Sequence, residues 1–170
     1  MNNNPTVLEI DISAIKHNLR YFKSKINEST KLLVVIKAFG YGSDAIAIAK
    51  ILEKEDVDYL AVAYTDEGVA LRKANIKLPI LVLHPQIENF ETLIAFKLEP
   101  NLYNFRTLNQ FIAIAAHHQL QDYPIHIKIN SGMNRLGFKE HELTHLTSII
   151  QNLKNLKIAS FYSHLAASED

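Results

Sequence analysis

Lys37 has the most evident chemical potential in this chain. It follows the apolar run Leu32-Leu33-Val34-Val35-Ile36 and precedes Ala38-Phe39-Gly40-Tyr41-Gly42. A short β-branched run of this kind predicts a buried strand. A lysine at its end, before a turn with two glycines, stands where a strand meets a ligand-facing loop. In α/β barrels the carboxyl ends of the strands carry the chemistry. A lysine there can be desolvated, drop in pKa and offer its amine to a carbonyl group. At an ordinary strand end the same residue simply reaches water. Two later segments repeat the arrangement. Ile125-His126-Ile127-Lys128-Ile129 runs toward Arg135, and Ile158-Ala159-Ser160-Phe161-Tyr162 runs into Ser163-His164. Lys37, Arg135 and His164 therefore point to one face of a common sheet.

The elements that must position them alternate. Val7-Leu8-Glu9-Ile10 reads as a short strand, and Ala14, Ile15, Leu19 and Phe22 recur at helical spacing. Ser43-Asp44 offers an N-cap to a helix with Ile46, Ala49, Ile51 and Leu52. Tyr59 to Ala63 is the next strand, and Thr65, with Asp66 and Glu67 in its first turn, opens the following helix. Pro79 starts the strand that runs to Leu83. A helix follows around Glu88 to Phe96, and Pro100-Asn101-Leu102 gives only a weak strand signal. Phe105, Leu108, Phe111, Ile112 and Ala115 form a firm helix. Leu143, Leu146, Ile149 and Ile150 form another.

Strand–helix alternation with short connections predicts a parallel sheet. The repeating unit of about 30 residues is that of an eight-unit barrel of about 250 residues. The 170 residues hold about five to six such units, too few to close one. Ser168 followed by Glu169 and Asp170 resembles the start of a helix that does not continue, so the sequence reads as a fragment.

Composition narrows the function classes. Eighteen basic and 18 acidic residues cancel without any block of like charge, which argues against nucleic acid or an anionic membrane surface as partner. With no cysteine, thiolate nucleophiles, disulfides and Cys-based zinc sites are excluded. No apolar stretch is long enough to span a bilayer, and residues 1–5 lack the features of a signal peptide, so a cytoplasmic protein is expected. His84 and the pair His117-His118 lack metal-ligand spacing with acids and are expected at the surface; no metal is expected.

Four segments carry a resemblance beyond what spacing can say. Val35 to Gly42 resembles the pyridoxal phosphate lysine segment of bacterial alanine racemases. Ile127 to Phe138, containing Gly132-Met133-Asn134-Arg135-Leu136-Gly137, resembles their Gly-Met-x-Arg-Leu-Gly segment. Phe161 to Ala166 resembles their Ser-His-Leu/Phe-Ala segment, and Leu8 to Leu19 their first strand and helix. The resemblance covers this whole chain but about half of a family member. It implies a pyridoxal 5'-phosphate-binding (β/α)8 TIM-type barrel, here incomplete, with residues 1–170 as its N-terminal part and the family's β domain absent. The implied activity is interconversion of L- and D-alanine for peptidoglycan, by a homodimer.

The same resemblance assigns roles. Lys37 would be the Schiff-base lysine and one of two bases at the substrate α-carbon. Tyr41 would donate to the cofactor phosphate. Arg135 would donate to the cofactor's phenolic oxygen and face the substrate, and His164 would lie beside the cofactor ring. Lys128 matches a lysine that many members carry as a carbamate. Phe39-Gly40 stands where many members have Asn-Ala, Asn130 where aspartate is common and Ser131 where threonine is common. The catalytic tyrosine taken from the partner subunit has no counterpart here, so this chain alone is expected to be inactive. Alternatives on the same resemblance are a racemase or decarboxylase of another amino acid, a non-catalytic pyridoxal phosphate-binding homeostasis protein, and part of a peptidoglycan ligase–racemase fusion.

Overall fold

A computed structural model describes residues 6–168. The readings made on residues 1–5, Glu169 and Asp170 lie outside the described residues. The elements in order are α1 (Ile12–Lys23), β1 (Leu33–Val35), the single turn α2 (Lys37–Tyr41), α3 (Ala45–Lys54), β2 (Tyr59–Val62), α4 (Thr65–Lys73), β3 (Ile80–Val82), α5 (Phe90–Ala95), β4 (Glu99–Leu102), α6 (Phe105–His117), β5 (Tyr123–Lys128), α7 (Leu143–Ile150) and β6 (Leu156–Tyr162).

The six strands pair in sequence order, β1 to β6, and every pair is parallel. Sequential parallel order with a helix in each crossover winds the chain one way and stacks the helices on one face, as in a barrel wall. This is the incomplete barrel expected from about five to six units. Side chains alternate between the two faces. Leu60, Val62, Ile80, Val82, Ile125 and Ile127 join Ala49, Leu52, Leu71, Leu93, Phe111 and Ala115 in the helix-side core. Tyr59, Leu81, Leu83, His126 and Lys128 line the opposite, concave side.

Helix starts follow local chemistry. The Asp11 carboxylate accepts from the Ser13 and Ala14 N–H groups, Asp44 from Ile46 and Ala47, and Asn104 from Thr107.

Three expectations need correction. Val7 to Ile10 forms no strand; Val7 and Leu8 are 71% and 68% exposed, and no backbone ladder bond among the described residues reaches them. The helix expected from Glu88 to Phe96 is a 3-10 turn at Ile87–Asn89 followed by α5. The weak signal at Pro100 to Leu102 is a fully buried strand, in which partners meet most of the polar side-chain atoms and only the Asn101 side-chain oxygen is buried without one among the described residues. Glu99 meets His126 and Tyr59, and the Asn101 side chain donates to the Leu83 carbonyl at 2.7 Å.

Candidate functional site

The turn after β1 is built in an unusual way. Ala38, Phe39, Gly40 and Tyr41 all have positive φ, between 50° and 65°, so α2 is a turn of left-handed helix. Each such residue with a β-carbon costs about 1–2 kcal/mol. Space is tight at Gly40 as well. A β-carbon there would stand 3.1 Å from the Ala45 nitrogen and 3.2 Å from its Cα. The turn thereby packs against the start of α3, leaving Lys37 half-buried and Tyr41 exposed.

Lys128 ends β5 and is buried. Its Nζ lies 5.4 Å from the centroid of the Tyr162 ring. Burial, then the neighbouring charges of Arg135 and Lys37, hold the Lys128 ammonium below the ordinary lysine pKa. The loop beyond folds back on the strand: the Phe138 N–H donates to the Lys128 carbonyl and the Asn130 N–H to the Phe138 carbonyl, both at 2.9 Å. Gly137 permits this, since a β-carbon there would fall 2.6 Å from the Asn130 nitrogen. Within the loop, the Asn130 side-chain oxygen accepts from the Gly132 and Asn134 N–H groups. Ser131 and Ser163 join hydroxyl to hydroxyl, and Ser163 donates to the Ile129 carbonyl at 2.8 Å. The loops carrying Arg135 and His164 are therefore tied together.

These strand ends surround a cavity of about 690 Å³. Lys37, Tyr41, Lys128, Arg135 and His164 all line it, with Leu33, Val35, Leu81 and Leu83 as apolar wall. That volume suits a small cofactor or ligand held by a few polar groups. The cations Lys37 and Arg135 with the Tyr41 hydroxyl make a donor set suited to an anionic, carbonyl-bearing molecule.

Sequence reasoning missed several residues of this cavity. Below its rim, His126 Nε2 lies 2.8 Å from a Glu99 carboxylate oxygen and Nδ1 lies 2.7 Å from the Ser160 hydroxyl. A carboxylate at this position pairs with the tautomer that carries its proton on Nε2. Tyr59 donates to the same Glu99 oxygen, and burial followed by the Glu99 charge pushes its phenol up to about 12. The alternation in Ile125-His126-Ile127-Lys128 already implied that His126 shares a face with Lys128. His84, expected at the surface, is half-buried in the cavity wall, stacked on Tyr103 and edge-on to Tyr64. His117 and His118 are exposed, as expected, and His118 pairs with Glu91.

A family model described as alanine racemase, N-terminal domain, matches residues 10–170. The chain belongs to the alanine racemase family. The alanine racemase of a Synechocystis species is 34% identical over 165 residues, covering 96% of this chain and 44% of that protein. A Geobacter alanine racemase is 34% identical over 177 residues, covering all of this chain and 45% of its own length. The chain thus spans less than half the length of these relatives. Among solved structures, the Clostridium difficile alanine racemase in complex with cycloserine superposes with a TM-score of 0.89 at 37% identity, over 98% of this chain and 46% of that one. This supports the barrel-wall architecture.

Proposed function

We propose that residues 1–170 are the N-terminal part of the barrel domain of a pyridoxal 5'-phosphate-dependent alanine racemase. The observation that carries this reading is the convergence of Lys37, Tyr41, Lys128, Arg135 and His164 on one cavity at the carboxyl ends of β1, β5 and β6. The family membership gives that convergence its chemistry. The full-length protein is proposed to act as a cytoplasmic homodimer on alanine in peptidoglycan precursor supply.

When bound, pyridoxal 5'-phosphate supplies the electron sink that makes the substrate α-carbon acidic. Lys37 would hold the cofactor through Nζ, and its amine would serve as the base on its own face of the α-carbon. Tyr41 would donate its hydroxyl to the cofactor phosphate. Arg135 would donate to the phenolic oxygen, face the substrate and keep positive charge near the ring, and His164 would lie beside it. Lys128, held toward its neutral form by burial, is the amine that adds carbon dioxide, forming an N–C bond and losing one proton. The resulting carbamate would attract Arg135 where the ammonium repels it. The nearby Tyr162 hydroxyl is buried without a partner among the described residues and is available to such an anion.

Racemisation needs a base on each face of the α-carbon, and this chain is proposed to supply only the Lys37 side. With pyridoxal 5'-phosphate added, the chain should develop a visible absorption band, and borohydride should fix the label on Lys37. The Lys37→Ala variant should lose both. Followed by circular dichroism, L-alanine should show no appreciable conversion to the D form. Labelling elsewhere, or ready turnover by the chain alone, would overturn the corresponding half of the reading.

A further inference from the structure

We propose that Glu67 is a positioning residue for Lys37, its carboxylate fastening the left-handed turn to the start of α4. The inference rests on the reading of Lys37 as the cofactor-holding lysine. Glu67 lies in the first turn of α4, one crossover away from Lys37 in sequence, and is half-buried. One carboxylate oxygen accepts the Ala38 N–H at 2.6 Å. The other accepts the Ala63 N–H at 2.6 Å and the Tyr64 N–H at 3.0 Å. A single side chain thus bridges the peptide just after Lys37 and the β2–α4 connection.

The turn needs such a tie. Ala38, Phe39 and Tyr41 sit in a backbone region that residues with a β-carbon disfavour. The turn's other backbone anchors lie within the segment itself, Gly40 N–H to the Ile36 carbonyl and Gly42 N–H to the Ala38 carbonyl. The Ile36 N–H bonds to the Ala61 carbonyl of β2, so the chain is fixed on both sides of Lys37, at Ile36 by the sheet and at Ala38 by Glu67. A lysine amine aimed at one carbon atom depends on that peptide orientation, because its side chain alone has four freely rotating bonds.

The geometry separates the Glu67 contribution from folding. In Glu67→Gln the single amide oxygen best serves Ala63 and Tyr64, which present two donors. The amide NH₂ then faces the Ala38 N–H, donor against donor. The helix start is kept and the tie to the turn is lost. Glu67→Asp, one methylene shorter, cannot reach both sides.

The test uses the full chain. Amide hydrogen exchange by NMR should find the Ala38 N–H protected in the wild type, a measurement that needs no variant and no cofactor. In Glu67→Gln, exchange at Ala38 should rise about tenfold or more, with the cooperative melt retained. The share of borohydride-fixed pyridoxal 5'-phosphate found on Lys37 should fall severalfold, and Glu67→Asp should not restore it. A freely exchanging Ala38 amide in the wild type would overturn the proposal. So would unchanged exchange in Glu67→Gln, or a loosened turn with unchanged Lys37 labelling. Wild-type label on a different lysine would instead defeat the reading of Lys37, while the exchange data still decide whether Glu67 holds the turn.

Discussion

Lys128 carries the sharpest electrostatic consequence of the site. Its folded pKa lies below the ordinary 10.5, chiefly through burial. Between the folded value and 10.5 the unfolded chain binds the extra proton, so this group makes stability rise with pH across that window. Below the folded value its penalty is full and constant. Lys128→Met removes the penalty, so in carbon dioxide-free buffer the variant's stability gain should be largest near neutral pH and shrink toward pH 10. Urea denaturation of both proteins across that range reads it. Tyr59, Tyr123 and Tyr162, whose phenols burial pushes up, act in the opposite direction above pH 10, so the comparison is read below that pH. Added bicarbonate should narrow the neutral-pH gap if Lys128 takes up carbon dioxide, and a gap indifferent to pH would contradict the assignment. The placement of Lys37, Arg135 and His164 around one cavity was legible in the sequence because each follows a strand-like run. Glu67 and Glu99 were not, because their significance lies in contacts with other units: Glu67 with Ala38, Glu99 with His126 and Tyr59.

The left-handed turn α2 makes a separable prediction. Gly40→Ala places a methyl group against the Ala45 backbone at a φ of 65°. The cost should be about 1–2 kcal/mol from the backbone alone. The loss of Lys37 labelling should be larger than for a surface variant of equal stability, since the turn must shift to make room. Thermal melts paired with labelling would separate the two effects, and a melt equal to the wild type would show that the turn yields freely. Long periodic helices such as α3 and α6 were plain in the sequence, as were the apolar strands β2 and β3. β4 was obscured because Glu99-Pro100-Asn101 has the composition of a turn, and only the neighbouring strands supply partners for those polar groups. Val7 to Ile10 erred the other way: its pattern suits a strand, but a strand exists only where another pairs with it.

Among the described residues, β1 pairs only with β2 and β6 only with β5, so the sheet has two open edges. Phe161 and Leu165, on and just after β6, are 57% and 74% exposed. Unpaired backbone beside exposed apolar side chains favours pairing with another copy. The chain at micromolar concentration should therefore self-associate, and Phe161→Lys should reduce the mean mass seen by light scattering. A wild-type chain that stays a clean monomer would argue that its edges are blunted by some other means.

The two open edges bear on the spacing of the chemistry itself. Lys37 stands beyond the first strand, Arg135 and His164 beyond the last two, yet all three line one cavity. Among the described residues no strand pairing joins β1 directly to β6, so the amine and the guanidinium are linked through four strand pairings in series, β1–β2 to β4–β5. The reach between them is therefore a sum of strand registers, and a slip in any one of those pairings would change it without touching either group.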